Sequence, residues 1–205
     1  FSIGQGDTVI TPIKQAQIYS AIANGGILWQ PLVAKAIVKT DGTVIKTFTP
    51  KVDGKVEADP KTFAWLRDAL HQVTISGTAA GAFAGFPIHV SGKTGTGEVF
   101  GLNSNGTKKN STSWFASFAP TENPQYAVVV MVSQGGTGAA AAGIGARQIY
   151  NTIYGVVGNK QVPEKIVYPN GIPTKLPKIS PTTKVVMATP SPSPTSSVKA
   201  KAVKK

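Results

Sequence analysis

Apolar residues recur at helical spacing in three stretches of the chain, and strand-like runs lie between them. Ile13, Ala16, Ile22 and Ala23 can share one side of a helix. Thr11-Pro12 is a good start for it: threonine caps the first turn, and proline tolerates the first helical position. Asn24-Gly25-Gly26 ends it. The runs 32–39 and 43–48 are rich in β-branched residues, with Asp41-Gly42 between them, which predicts a hairpin. Asp59-Pro60 opens a second helix, with Phe63, Leu66, Leu70 and Val73 on one face. Residues 76–85 are small and glycine-rich and read as a loop. Residues 86–91 read as a strand leading into Gly92-Lys93-Thr94-Gly95-Thr96-Gly97. After a polar loop over 101–111, two strands are expected at 113–119 and 126–133, joined by a turn at Thr121-Glu122-Asn123-Pro124. The run Ala127-Val128-Val129-Val130-Met131-Val132 lacks alternation, which suggests a strand buried on both faces. A third helix is expected over 139–154, with Ala142, Ala146, Ile149 and Ile153 at helical intervals. Short links between the last strands favour antiparallel pairing. The expected fold class is therefore α/β of the α+β kind, an antiparallel sheet covered by helices.

Composition changes beyond residue 157. Proline alternates with lysine, serine and threonine, a mixture that buries too little apolar surface to order itself. The expected organisation is one folded unit over 1–157 and a disordered Pro/Ser/Lys-rich tail over 158–205. The net charge of +12 follows this division. Residues 159–205 carry nine lysines and one glutamate, whereas residues 1–158 carry twelve basic and eight acidic residues. The excess is mostly in the tail, which reads as a solvated segment, so no nucleic-acid partner is expected. With no cysteine, disulfides and thiolate metal sites are excluded. No apolar run is long enough to cross a membrane as a helix. The first residues, Phe1-Ser2-Ile3, read as the middle of a longer protein.

Gly92-Lys93-Thr94 first suggests a phosphate-binding loop. That motif needs a glycine five positions before Gly92, where Pro87 stands, and a helix after the lysine, where Gly95-Thr96-Gly97 resist one. Lys-Thr-Gly also marks the penicillin-recognising serine enzymes. There an ammonium and a hydroxyl on one strand receive a carboxylate, and small glycines leave the strand edge open to a substrate backbone. His71 and His89 read as structural or surface residues. Asp7, Glu98 and Glu122 lie at no paired-carboxylate or metal-ligand spacing.

The surroundings of the motif strengthen the second reading. Ser2-Ile3-Gly4-Gln5-Gly6-Asp7 with Thr11-Pro12, Ala23-Asn24-Gly25-Gly26, Gly77-Thr78-Ala79, Gly92 to Thr96 and Ser113-Trp114-Phe115 through Ala119-Pro120 stand in the order found in penicillin-binding proteins. Over about residues 1–156 the chain resembles the C-terminal part of a class B transpeptidase domain, most like the elongation type. Two positions depart from the common pattern: Gly97 replaces a frequent alanine, and Gly143 a frequent proline.

The resemblance implies a serine-type D,D-transpeptidase that cross-links peptidoglycan. Lys93, Thr94, Gly95 and Thr96 would bind the carboxylate of a D-alanyl-D-alanine stem peptide or a β-lactam, and the Thr96 amide would form half of the oxyanion hole. It implies no metal or organic cofactor. It further implies an extracytoplasmic position at the bacterial membrane, an anchor upstream of Phe1, and the cell-wall elongation machinery as a partner. The family's Ser-x-x-Lys appears only at Ser196-Ser197-Val198-Lys199, in the tail, and Ser-x-Asn is absent. A disordered tail cannot hold a nucleophile against its base. The catalytic serine is therefore expected upstream of this chain, and no catalytic side chain within it. The rival readings are a serine β-lactamase, separated by the lifetime of its acyl-enzyme, and a non-enzymatic β-lactam sensor.

Overall fold

The computed structural model describes residues 4–6 and 9–167. Helix α1 (Pro12–Asn24) begins where Thr11 accepts a hydrogen bond from the Lys14 amide at 3.3 Å, and it ends at Gly25 in the left-handed region. Its buried positions are Gln17, Tyr19 and Ala21, and Ile22 and Ala23 pack on the core as expected, whereas Ile13 is exposed. Strand β1 (Ile27–Trp29) follows, then the hairpin of β2 (Ala36–Val38) and β3 (Val44–Thr47), and then β4 (Val52–Lys55). The hairpin pairs as its sequence predicts. The pairing of β1 with β4 is a further element, which the polar Val52-Asp53-Gly54-Lys55 did not signal.

Helix α2 (Pro60–Ile75) starts at Asp59, whose carboxylate accepts from the Lys61 amide at 2.8 Å. Phe63 is buried, and Leu70 and Val73 pack against separate core clusters, so α2 bridges the two. The small-residue loop contains one helical turn, α3 (Ala80–Phe83), flanked by the buried Ala79. Then comes the central sheet, β5 (Ser91–Gly97), β6 (Thr112–Ala119) and β7 (Tyr126–Val132), antiparallel throughout with β6 in the middle.

Two expectations change here. Residues 86–90 form no strand, and Lys93-Thr94-Gly95 lies within β5 itself. The preceding carbonyls are taken by other partners: Thr74 donates its hydroxyl to the Val90 carbonyl at 2.6 Å, and the Thr121 amide donates to that of His89 at 2.9 Å. The valine-rich β7 touches core on both faces, but of its residues only Val128 is buried, and Met131 is 43% exposed. At the sheet's end among the described residues, β7 has cover on each face but none at its rim.

A π-helical turn (Ala139–Gly143) leads into α4 (Ile144–Ile153). Ala142, Ala146 and Tyr150 are buried and Ile149 is 42% exposed, so the core-facing stripe runs through Tyr150 rather than Ile149. The large ring fills more of the core, and its hydroxyl has a partner in Ser117 at 3.1 Å. Nor does the folded unit stop at 157. β8 (Val156–Val157) pairs with β9 (Lys160–Gln161), a turn of 3₁₀ helix (Pro163–Lys165) follows, and the Val167 amide reaches the Ile153 carbonyl at 3.1 Å. The boundary expected between 157 and 158 thus falls inside a hairpin. The rest of the expected tail, 168–205, lies outside the described residues.

Candidate active site

Residue alternation along β5 divides the motif between two faces of the sheet. Lys93, Gly95 and Gly97 pair with Ala116, Trp114 and Thr112, on the face that α1 covers. Thr94 and Thr96 pair with Phe115 and Ser113, on the face packed against α3 and the π turn. Beside β5 lies a cavity of about 560 Å³, with Tyr19, Lys93, Thr94, Gly95, Trp114 and Phe100 among its walls. Gly95 and Gly97 keep that wall low. Burial pushes the Tyr19 phenol up to about 12, so its hydroxyl stays protonated over the ordinary pH range.

Lys93 is exposed, its ammonium donating to the Thr94 carbonyl at 3.1 Å. Neither ion pair among the described residues engages it, which leaves a cation at the cavity mouth available to an anionic ligand. The Thr94 and Thr78 hydroxyls lie 2.7 Å apart. The Thr96 hydroxyl accepts from the Gly138 amide at 3.1 Å, joining β5 to the π turn. Ser113 secures the same corner, donating to the Thr137 carbonyl at 2.7 Å and accepting from the Ala142 amide at 3.0 Å. Gly138 has to be glycine here: an added Cβ would stand 2.6 Å from the Gly95 carbonyl oxygen. The rim of β5 away from β6 has no strand partner among the described residues, so its free backbone groups can receive an extended peptide.

A second group of polar residues holds the start of β5. Ser91 is fully buried, donates to the Arg67 carbonyl at 2.8 Å and lies 3.0 Å from the Thr121 hydroxyl, which in turn meets His71 Nδ1 at 3.1 Å. The His71 and His89 rings meet edge to face at 4.9 Å, and His89 contacts the Glu122 carboxylate. That hydrogen bond holds the Glu122 carboxyl below its usual value. Both histidines thus have structural partners, although His89 stands in an irregular segment and not in a strand.

The four predicted binding residues, Lys93 to Thr96, lie on one strand; Lys93, Thr94 and Gly95 line the cavity, whereas Thr96 is not among its walls and turns its hydroxyl to Gly138. Ser196 lies outside the described residues. Tyr19, Thr78, Ser113 and Gly138 join the site without a sequence signal of their own, although Thr78 and Ser113 lay in segments already associated with the family.

A family model described as the penicillin binding protein transpeptidase domain matches residues 1–155. The chain is 36% identical to the peptidoglycan D,D-transpeptidase PbpA of Mycolicibacterium smegmatis over 148 residues, 69% of this chain and 28% of that protein. It is 31% identical to the peptidoglycan D,D-transpeptidase MrdA of Haemophilus influenzae, over 72% of this chain and 24% of that one. Among solved structures, a penicillin G acyl-enzyme of penicillin-binding protein A from M. tuberculosis superposes with a TM-score of 0.59 at 30% identity, covering 73% of this chain and 33% of that one. Penicillin-binding protein 2 from Pseudomonas aeruginosa gives a TM-score of 0.65 at 30% identity, over 80% and 35%. The chain spans about a quarter to a third of the length of such relatives. With its antiparallel sheet, flanking helices and Lys-Thr-Gly strand, the chain belongs to the penicillin-binding protein transpeptidase domain family, in its class B branch.

Proposed function

We propose that this chain is the carboxylate-binding part of a serine-type peptidoglycan D,D-transpeptidase of the elongation type. The observation that carries the reading is the open strand β5, whose Lys93 ammonium, in no ion pair among the described residues, and bare backbone rim border one cavity that Thr94 also lines. An extended stem peptide lies along the rim as an added strand. Lys93 and Thr94 take its terminal carboxylate through charge-assisted hydrogen bonds, and the Thr96 amide faces the oxygen of the carbonyl under attack. The nucleophilic serine belongs to a part of the protein outside this chain. Its oxygen adds to the penultimate D-alanine carbonyl, the C–N bond to the terminal D-alanine breaks, and that residue leaves as the free amino acid. An amine of a neighbouring stem peptide then takes the acyl group and releases the serine. A β-lactam enters the same site, its ring C–N bond opens as the serine oxygen adds to the carbonyl, and the serine remains acylated.

Similarity to two named peptidoglycan D,D-transpeptidases and to acyl-enzyme structures supports this reading over a hydrolytic β-lactamase or a sensor. A position outside the cytoplasmic membrane, through an anchor upstream, and work beside the cell-wall elongation machinery follow as parts of the same proposal. The test is Lys93→Ala in the full-length protein. Acylation by a penicillin is expected to slow by about tenfold to a hundredfold, the loss of a charge-assisted contact worth roughly 1.5–3 kcal/mol, while the thermal midpoint holds. Unchanged acylation kinetics would remove Lys93 from the site.

A further inference from the structure

We propose that Thr78 is a positioning residue: its hydroxyl donates to the Thr94 hydroxyl and so turns the Thr94 proton toward the carboxylate of the bound ligand. The inference rests on the proposed transpeptidase reading and adds a residue to it. The two hydroxyl oxygens are 2.7 Å apart, a full hydrogen bond between residues sixteen positions apart in sequence. A hydroxyl carries one proton, so the bond has two possible senses with opposite consequences. If Thr94 donates to Thr78, its proton is used up, and its oxygen lone pairs confront an anionic ligand. If Thr78 donates to Thr94, the Thr94 proton is free for the carboxylate, and the bond it accepts makes it a stronger donor. An anion beside Lys93 selects the second sense.

The frame behind Thr78 is built to hold it. Ala79 is fully buried, and its amide donates to the Val73 carbonyl at 3.0 Å, which fixes the backbone next to Thr78 against the end of α2. Gly77 permits that approach, since a Cβ there would stand 2.8 Å from the Val73 Cα. The following turn, α3, is gripped by Arg147, whose guanidinium donates to the Ala82 carbonyl at 2.9 Å and the Ala84 carbonyl at 3.0 Å. Arg147 also reaches the Asn159 side chain at 2.7 Å. On the other side, Thr94 sits in the middle of β5 opposite the fully buried Phe115. Two rigid elements therefore set the hydroxyl pair, and Thr78 itself is exposed, so its side chain can be changed without opening the core.

The experiment uses the full-length protein and two ligands, a penicillin with its free carboxylate and the methyl ester of the same penicillin. Thr78→Val removes the hydroxyl at nearly constant shape. It is expected to slow acylation by the acid about tenfold and by the ester less than twofold, and Thr78→Ser is expected to restore the acid. The ratio of the two rates is read on one sample, so it does not depend on the folded fraction. Equal loss on both ligands would make Thr78 a general structural residue and overturn the proposal. So would an unchanged acid rate in Thr78→Val while Thr94→Val loses it, which leaves the carboxylate site intact. If Thr94→Val too leaves the acid rate unchanged, the carboxylate-site reading falls, and this inference with it.

Discussion

The two faces of the sheet β5–β7 are covered very differently. On one, Phe115, Ala142, Ala146 and Tyr150 are fully buried, and α3, the π turn and α4 close over them. On the other, the buried cluster is Tyr19, Ala116 and Phe118, under α1 with Leu70 of α2 beside it, and the cavity opens next to it. The motif strand uses this difference. Thr94 and Thr96 are tied to the heavily covered side by Thr78 and Gly138, whereas Lys93 and Gly95 face the lightly covered one. A strand anchored from behind can hold fixed positions while its front stays open to a ligand, which is the preorganisation that carboxylate and oxyanion recognition need.

The sharpest way to break the comparison is to empty each face in turn. Phe115→Ala removes a ring that packs on Phe83 at 5.4 Å within the finished core, and is expected to cost about 3–5 kcal/mol in urea unfolding of the chain. Phe118→Ala is expected to cost less, about 2–3 kcal/mol, because α1, with Leu70 of α2 beside it, can settle into the space more easily than the three packed elements of the other face can. An equal or larger loss at Phe118 would show that the α1 face is as tightly determined as the other. The next effect concerns the closing hairpin, which buttresses the well-covered face through Arg147 and Asn159. Ending the chain after Val167 should leave the thermal midpoint nearly unchanged. Ending it after Val157 removes Asn159 and the Val162 amide bond to the Gly155 carbonyl, and should cost about 2 kcal/mol. Identical midpoints for the two truncations would show that residues 158–167 add nothing to the fold.

The smallest expected effect is pH-dependent. His71 is held below the usual histidine value of 6.5, chiefly by burial and next by the His89 ring, with Glu122 and Asp68 opposing. The unfolded chain therefore takes up this proton first as pH falls. The His71 contribution is complete above about pH 6.5 and is lost progressively below it, down to the folded-state value. His71→Gln should flatten stability between pH 7 and 5, and a slope equal to that of the parent chain would assign the effect elsewhere. Glu122 acts in a lower window: its depressed carboxyl favours the fold at pH above its usual value of 4.5 and ceases to as pH falls further.

The sequence made the helix ends legible because each rests on local chemistry. Thr11-Pro12, Asp59-Pro60 and Asn24-Gly25 set caps that require no distant partner. The motif residues were legible through their order along the chain, which reflects a family as much as a physical rule. What depends on long-range packing was not legible. The segment ending at Val90 has strand-like residues, but Thr74 and Thr121 claim its carbonyls. The face of α4 is decided by where Ser117 stands to meet Tyr150, thirty-three residues away. The pairing of β1 with β4 joins an apolar run to a polar one, and no periodicity reports that. Thr78 gave no sign of touching Thr94, because only the fold makes them neighbours.

The glycines around β5 set how far this site can vary by mutation. At Gly92 an added methyl would lie 2.7 Å from the Phe115 ring and 2.9 Å from the Ala116 carbonyl, and at Gly138 it would press on the backbone of β5 and β6. At Gly97 it would meet nothing nearer than the Thr112 carbonyl at 3.9 Å. A single-base change can therefore reshape the front rim of the strand at 97 while the fold survives, whereas the same change at 92 or 138 forces the strand itself to move. Selection on ligand fit has an accessible route at one end of the motif and a closed one at the other.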